Sequence, residues 1–181
     1  MVWLTGLSGG GKSTIADALH GHLSARNLKS YVLDGDILRR GLCADLGYSE
    51  SDRHENIRRA AHVARTLMDT GLIVIAAFIT PYQADHDTVR QAIPASRLVL
   101  THVDCPLEVC IARDPKGLYL QARSGSIPNF TGISAPYEPP MNPDVHLFTA
   151  EISVCDALLT IHQHLTVRGL LSDSQAVLNK G

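Results

Sequence analysis

Apolar residues in this chain fall into short continuous runs separated by stripes at helical spacing. "MVWLT" stops at Gly6 and predicts a buried strand. Over 13–25, Ile15, Ala18, Leu19 and Leu23 recur on one helical face. "SYVLDGD" predicts a second strand ending in a carboxylate turn. Ile57, Ala61, Ala64 and Met68 form the inward stripe of a long helix over 51–70, stopped by Gly71. "LIVIAAFI" is apolar throughout, as a strand covered on both faces is. "YQADHDTVRQAI" reads as helix and "RLVLTHVD" as a fourth strand. "PLEVCIAR" reads as a helix with Pro106 in its first position. "VHLFT" predicts a fifth strand and 150–167 a closing helix, and the tail from Leu170 reads as loosely held.

Strands that alternate with helices imply parallel strands joined by right-handed crossovers, with helices on both faces. The pattern predicts a three-layer α/β/α domain on a mostly parallel five-stranded sheet, over 1–170, with 171–181 as a tail. The stretch 114–143 is rich in Gly, Pro, Ser and Asn and long for a plain connection. Its Lys, Arg, Tyr and Phe residues mark it as a lid.

Composition narrows the partners. The chain has 181 residues, 45% of them hydrophobic and 19% charged, as in ordinary globular proteins. A formal net charge of −2 gives no pointer to nucleic acid or an anionic membrane. The cations are unevenly placed, however: 14 of the 16 Lys and Arg residues lie at or before Arg123. An anionic ligand would therefore meet the first two thirds of the chain. Cys43, Cys105, Cys110 and Cys155 form no C-x-x-C pair, and Met1 to Leu4 is too short for a secretory signal. No apolar run approaches ~18 residues. These features predict a cytoplasmic protein with free thiols. His20/His22 and His162/His164 are spaced two apart, which on a helix points them to different faces, so neither pair reads as a chelate.

The chemistry begins at "GLSGGGKST". Gly6-x-x-x-x-Gly11-Lys12-Ser13 follows a predicted strand and opens a predicted helix, the context of a phosphate-binding P-loop. Backbone N–H groups must converge on phosphate oxygens, and side chains would block them. Gly6, Ser8, Gly9, Gly10, Gly11, Lys12, Ser13 and Thr14 are thus expected to hold ATP, with Lys12 on the β and γ phosphates and Ser13 ligating Mg2+. The loop is silent on the acceptor. Four segments arrive at the same carboxyl edge of the sheet. "DGDILRR" brings Asp34 and Asp36, which could serve metal water or a hydroxyl proton, or form an Asp-Gly turn with Asp36 as a helix N-cap. In "LGYSESDRHENIRR", Arg53 shares the stripe of Ile57, and an arginine on an inward face calls for an anion. Asn56 lies one turn on, while Arg58, Arg59 and Arg65 read as solvated. "FITPY" ends the third strand, and "DPKGLYLQARSG" opens the lid.

Taken together, "WLTGLSGGGKSTIA", "LDGDILRRGL", "DLGYSESDRHENIRR", "RDPKGLYLQARSG" and "NFTGISAPYEPPMNPDVHL" resemble the adenylylsulfate kinase family of P-loop kinases, from Trp3 to about Leu170. The resemblance implies the P-loop NTPase fold. It also implies transfer of the ATP γ-phosphoryl group to the ribose 3′-hydroxyl of adenosine 5′-phosphosulfate (APS), giving 3′-phosphoadenosine 5′-phosphosulfate (PAPS) and ADP, in sulfate assimilation. It assigns Asp36 to the metal and the attacking hydroxyl, and Arg113 and Asp114 to the ATP side. Asp34, Arg39, Arg53, Asn56, Phe78, Ile79, Lys116, Gly117 and Leu118 go to the APS side, and Tyr48 and Phe130 to an adenine sandwich. Thr80 stands where the family has a serine sometimes described as a phosphorylated intermediate. In-line transfer needs no enzyme nucleophile, so Thr80 is expected to be a substrate-side hydroxyl or backbone anchor. Family members are commonly homodimers, and coupling to an ATP sulfurylase is a further implication.

The chain departs from the family pattern at Ile37 (usually Asn), Tyr48 (usually Phe), Thr80 (Ser) and Ile111 (commonly Glu), and leaves little room for an N-terminal arm. Two other readings stand beside this one. A gluconate, shikimate or nucleoside monophosphate kinase would share the loop and sheet. A non-catalytic nucleotide-binding module would be expected to have lost Lys12, Asp36 or Arg53, and all three are present.

Overall fold

Five parallel strands in the order β2-β3-β1-β4-β5 form the middle layer of the computed structural model, which describes residues 1–171. They are β1 (Val2–Thr5), β2 (Ser30–Asp34), β3 (Ile73–Ala77), β4 (Val99–Asp104) and β5 (Val145–Phe148). Parallel strands buried on both faces are apolar without alternation, and β1 and β4 are buried almost throughout. Helices α1 (Lys12–Ser24) and α7 (Val154–Val167) lie on one face; α3 (Glu50–Asp69) and α4 (Gln83–Ala92) lie on the other. The period of two along β1 divides its side chains between these layers. Trp3 joins Ile57, Ala61, Ala64 and Met68 of α3, whereas Val2 and Leu4 join Ile15, Leu19 and Leu23 of α1. Each such fully buried large side chain stabilises the fold by about 1.5–3 kcal/mol. The predicted three-layer sheet is therefore present, with all five strands parallel.

Local chemistry sets several boundaries. Ser49 caps α3, its hydroxyl accepting the Asp52 N–H. The closing helix begins at Val154 rather than at 150. There Ser153 and Asp156 form a reciprocal capping box, which satisfies two N-terminal N–H groups. Pro106 precedes the first turn of α5 (Leu107–Arg113) as its cap, one place earlier than expected; its ψ of 138° is not helical. The carboxylate turn after β2 is itself a short helix, α2 (Gly35–Arg39). Its cap is Asp34, which accepts the Asp36 N–H, so the capping role considered for Asp36 belongs to its neighbour.

The stretch 114–143 contains α6 (Leu118–Arg123), which its turn-rich composition concealed. Beyond α6 it is pinned to the body. Glu138 donates its N–H to the Pro81 carbonyl, and its carboxylate accepts the Gln83 N–H. A third apolar cluster lies beneath this segment and includes Cys105, Cys110, Tyr119 and Phe130. Leu170 is half-buried and Leu171 is buried against the α1–α7 face. The rest of the expected tail, 172–181, lies outside the described residues. No helix among the described residues is long and apolar enough to cross a membrane.

Candidate active site

The loop between β1 and α1 carries the tightest steric requirement in the fold. A Cβ on Gly6 would sit 2.3 Å from the Val103 carbonyl oxygen, so only glycine lets β1 turn this close to β4. Gly11 then caps α1 at φ 104°, and Lys12 begins the helix. Two side chains not foreseen from sequence hold the loop in shape. Tyr119 of α6 donates its hydroxyl to the Ser8 carbonyl at 2.9 Å. The Thr149 hydroxyl donates to the Gly10 carbonyl at 2.8 Å. Tyr119 falls in a family-like stretch and Thr149 at the end of the predicted fifth strand, but the role of each depends on a contact more than 100 residues away in the chain.

The loop opens into a cavity of about 940 Å3, at the upper end of the range for ligand sites. Ser8, Gly9, Gly10, Gly11, Lys12, Ser13 and Thr14 line one end. Asp34 and Asp36 stand beside that end, Asp34 bonded to Ser13; Arg39, Tyr48, Arg53, Asn56, Phe78, Ile79, Thr80 and Arg113 line the rest, together with Lys116, Leu118 and Phe130 of the overhead segment 114–143. Gly6, Asp114 and Gly117 do not line it. Asp114 instead accepts the Tyr119 and Leu120 N–H groups and so caps α6, while Gly117 starts that helix at φ 65°. Apolar surface at Ile57, Ile152, Val154 and Ala157 completes the wall.

Five cations face two carboxylates here, so the cavity is built for an anion. Burial lowers the Lys12 ammonium from its ordinary 10.5 to about 8, and neighbouring Lys116 pushes the same way, although Asp34 and Asp36 partly counter it. Its Nζ donates to the Leu7 carbonyl at 2.7 Å. Ser13 donates its hydroxyl to Asp34 at 3.0 Å, and Lys116 reaches down from the overhead segment to pair with Asp36. Ser13, Asp34 and Asp36 thus group hard oxygen donors beside the phosphate loop, a donor set suited to Mg2+.

Arg53 is only 7% exposed, inward as its place on the α3 stripe requires. It donates to the Tyr48 carbonyl at 3.2 Å and the Asn129 carbonyl at 2.6 Å, tying α3 to the overhead segment. Burial lowers its pKa. Asn56, one turn on, is 6% exposed and its buried Oδ1 has no protein partner. An unpaired buried acceptor costs about 1–3 kcal/mol, which a ligand donor would recover. The guanidinium of Arg39 lies 4.4 Å from the Tyr48 ring centre and that of Arg53 5.5 Å. Phe130 meets Tyr119 edge-on at 5.0 Å. Arg58 is exposed as expected and Arg65 only half-exposed, while the Arg59 side chain is only 25% exposed because it bridges Glu55 and Asp45.

Thr80 is fully buried at φ 48°, an unfavourable conformation for a β-branched residue. Its hydroxyl accepts the Trp3 indole N–H at 2.9 Å, and the Trp3 ring stacks on Phe78 at 5.0 Å. Gly35 lies directly against this pair, since a Cβ there would sit 3.0 Å from the Phe78 ring. The β1 and β3 ends are thereby locked together beneath the cavity.

Comparison with known proteins agrees with this geometry. Residues 1–148 match the family model described as adenylylsulphate kinase. The chain is 53% identical over 165 residues to the adenylyl-sulfate kinase of Burkholderia ambifaria, covering 91% of each. It is 48% identical over 176 residues to that of Acaryochloris marina, covering 97% of this chain and 86% of the relative. The solved structure of the Mycobacterium tuberculosis APS kinase in complex with AMPPNP and APS superposes with a TM-score of 0.87 at 43% identity, over 91% of this chain and 96% of that one. A P-loop whose cavity continues past a buried arginine and an unpaired asparagine is thus accompanied by sequence likeness along almost the whole chain, which belongs to the adenylylsulphate kinase family.

Proposed function

We propose that one domain over 1–170 transfers the γ-phosphoryl group of ATP to the ribose 3′-hydroxyl of APS, yielding PAPS and ADP. The observation that carries this reading is the shared cavity, which joins a triphosphate loop to a second pocket of buried Arg53, Asn56 and aromatic surface. The loop amides and Lys12 bind the β and γ phosphates. Arg39 and Arg53 hold the phosphosulfate, Asn56 accepts a hydrogen bond from the nucleotide, and Tyr48 and Phe130 flank its adenine. Ser13 and Asp36 would hold Mg2+, which when bound neutralises charge on the β and γ oxygens. The 3′-oxygen forms a bond to Pγ as the Pγ–O bond to ADP breaks, and Asp36 positions the hydroxyl and receives its proton. Arg113 borders the ATP side, and Asp114 and Gly117 contribute by setting α6. Thr80 acts through its hydrogen bond to Trp3 and is not a relay.

The test is a coupled assay of ADP release. Release that requires both APS and Mg2+, and is not elicited by gluconate, shikimate or AMP, is expected; ADP release indifferent to APS would refute the reaction. Homodimerisation and coupling to ATP sulfurylase are further proposals, checked by light scattering and by co-purification. Four free thiols, three of them buried, support a reducing, cytoplasmic setting.

A further inference from the structure

Away from the phosphate cavity, β4 and β5 present a second cluster of ligating side chains. The two strands pair with His102 directly opposite His146. Residues two apart on a strand share a face, so Asp104 stands on the same side as His102. One ligand atom from each of His102, Asp104 and His146 lies within 4.8 Å of the other two. The two imidazoles stack with centres 4.7 Å apart, and His146 Nε2 lies 2.9 Å from Asp104 Oδ2. The three border a cavity of about 380 Å3, lined also by Tyr137 and Pro140 of the 114–143 segment. It shares no lining residue with the phosphate cavity.

We propose that His102, Asp104 and His146 bind one divalent transition-metal ion of the Zn2+ class, separate from the Mg2+ that accompanies the triphosphate. Two imidazoles and one carboxylate are the donor set of Zn2+, Co2+ or Ni2+. Mg2+ and Ca2+ prefer oxygen alone. Tetrahedral bonds of about 2.1 Å place ligand atoms roughly 3.4 Å apart, so modest side-chain rotation closes the present spacing. The ion replaces the His146–Asp104 hydrogen bond, and a water from the cavity completes its coordination. The site braces a strand end on which the phosphate loop rests. The Asp104 backbone carbonyl accepts the Thr149 N–H at 2.8 Å, and the Thr149 hydroxyl reaches the Gly10 carbonyl.

Calorimetric titration of the nucleotide-free full-length chain with Zn2+ tests the site, with Cys155→Ser as background because Cys155 is an exposed thiol. One ion per chain is expected. His146→Ala and Asp104→Ala should each weaken binding by about 100-fold or more, since loss of an outer-shell partner alone costs about 10–100-fold. The double change His22→Ala/His162→Ala, which removes the other close histidine pair, should leave it unaltered. Undiminished affinity in the site variants, or no Zn2+ binding to the background protein, overturns the proposal. Should the variants fail to fold, nitrogen NMR of the background protein decides. Ring-nitrogen shifts of His102 and His146 together on adding Zn2+ support the site, and shifts confined to other histidines refute it.

Discussion

Lys12 holds its proton loosely because burial disfavours its charge, and this has a measurable consequence. Its pKa is lowered to about 8, so the free protein sheds this proton as pH rises through that value. A bound triphosphate favours the ammonium and raises the pKa again. Nucleotide binding near pH 8 should therefore take up about half a proton, and affinity should be flat below this pH and fall above it. Calorimetry in two buffers of different ionisation enthalpy measures the uptake; a null result in wild type would contradict the assignment, and Lys12→Met should abolish the effect. Thr80 carries a different expectation. Thr80→Ala leaves the buried Trp3 N–H without its acceptor, which costs about 1–3 kcal/mol, partly offset by relief of the β-branched side chain at φ 48°. Denaturant unfolding should show the loss while turnover stays within about tenfold of wild type. Loss of all turnover with the fold and APS binding intact would restore the covalent relay. Lys12 and Thr80 both stand out in the sequence, but the partner that decides the role of Thr80 lies 77 residues away.

Among the elements, helix α6 shows how a local rule can be hidden. Its six residues follow a Gly-Pro-rich run and are too few for a periodic pattern, so composition alone reads them as loop. The structure resolves the matter through Asp114, whose carboxylate accepts two N–H groups at the helix start. Asp114→Ala removes that cap at a cost of about 1 kcal/mol. Because α6 carries Tyr119 against the phosphate loop and follows Lys116, the substitution should raise the KM for ATP and APS more than it lowers kcat. Steady-state kinetics checks this, and a selective loss of kcat would mean that Asp114 touches the reacting groups. The long helices were legible for the converse reason. The 20 residues of α3 repeat an apolar stripe that includes Arg53, and a stripe facing the core carries any polar residue on it inward.

For the whole molecule, the decisive feature is that one cavity is lined by both the phosphate loop and residues of α2, α3 and the 114–143 segment, which is what the proposed two-ligand reaction requires. Adding ADP and then APS should raise the melting temperature in two steps, each approaching about 2.7 kcal/mol of stabilisation at a hundredfold excess over Kd. Arg53→Ala should keep the first step and lose most of the second, since the proposed function puts Arg53 on the acceptor. Differential scanning fluorimetry resolves the steps. A variant that loses both has disturbed the phosphate loop, and one that keeps both shows that Arg53 does not bind APS.

The sequence by itself determined what depends on neighbours along the chain. Backbone requirements fixed the glycine turn, apolar periodicity fixed the strands and the long helices, and the distinctive stretches identified the family. Tertiary structure decided what depends on distant contacts. Asp34 and not Asp36 became a cap, Tyr119 and Thr149 came to brace the phosphate loop, and Thr80 met Trp3. Two histidines and an aspartate from different strands also came to face one small cavity. Sheet register and loop closure bring such groups together over tens to more than a hundred residues, and local propensity carries no record of those distances.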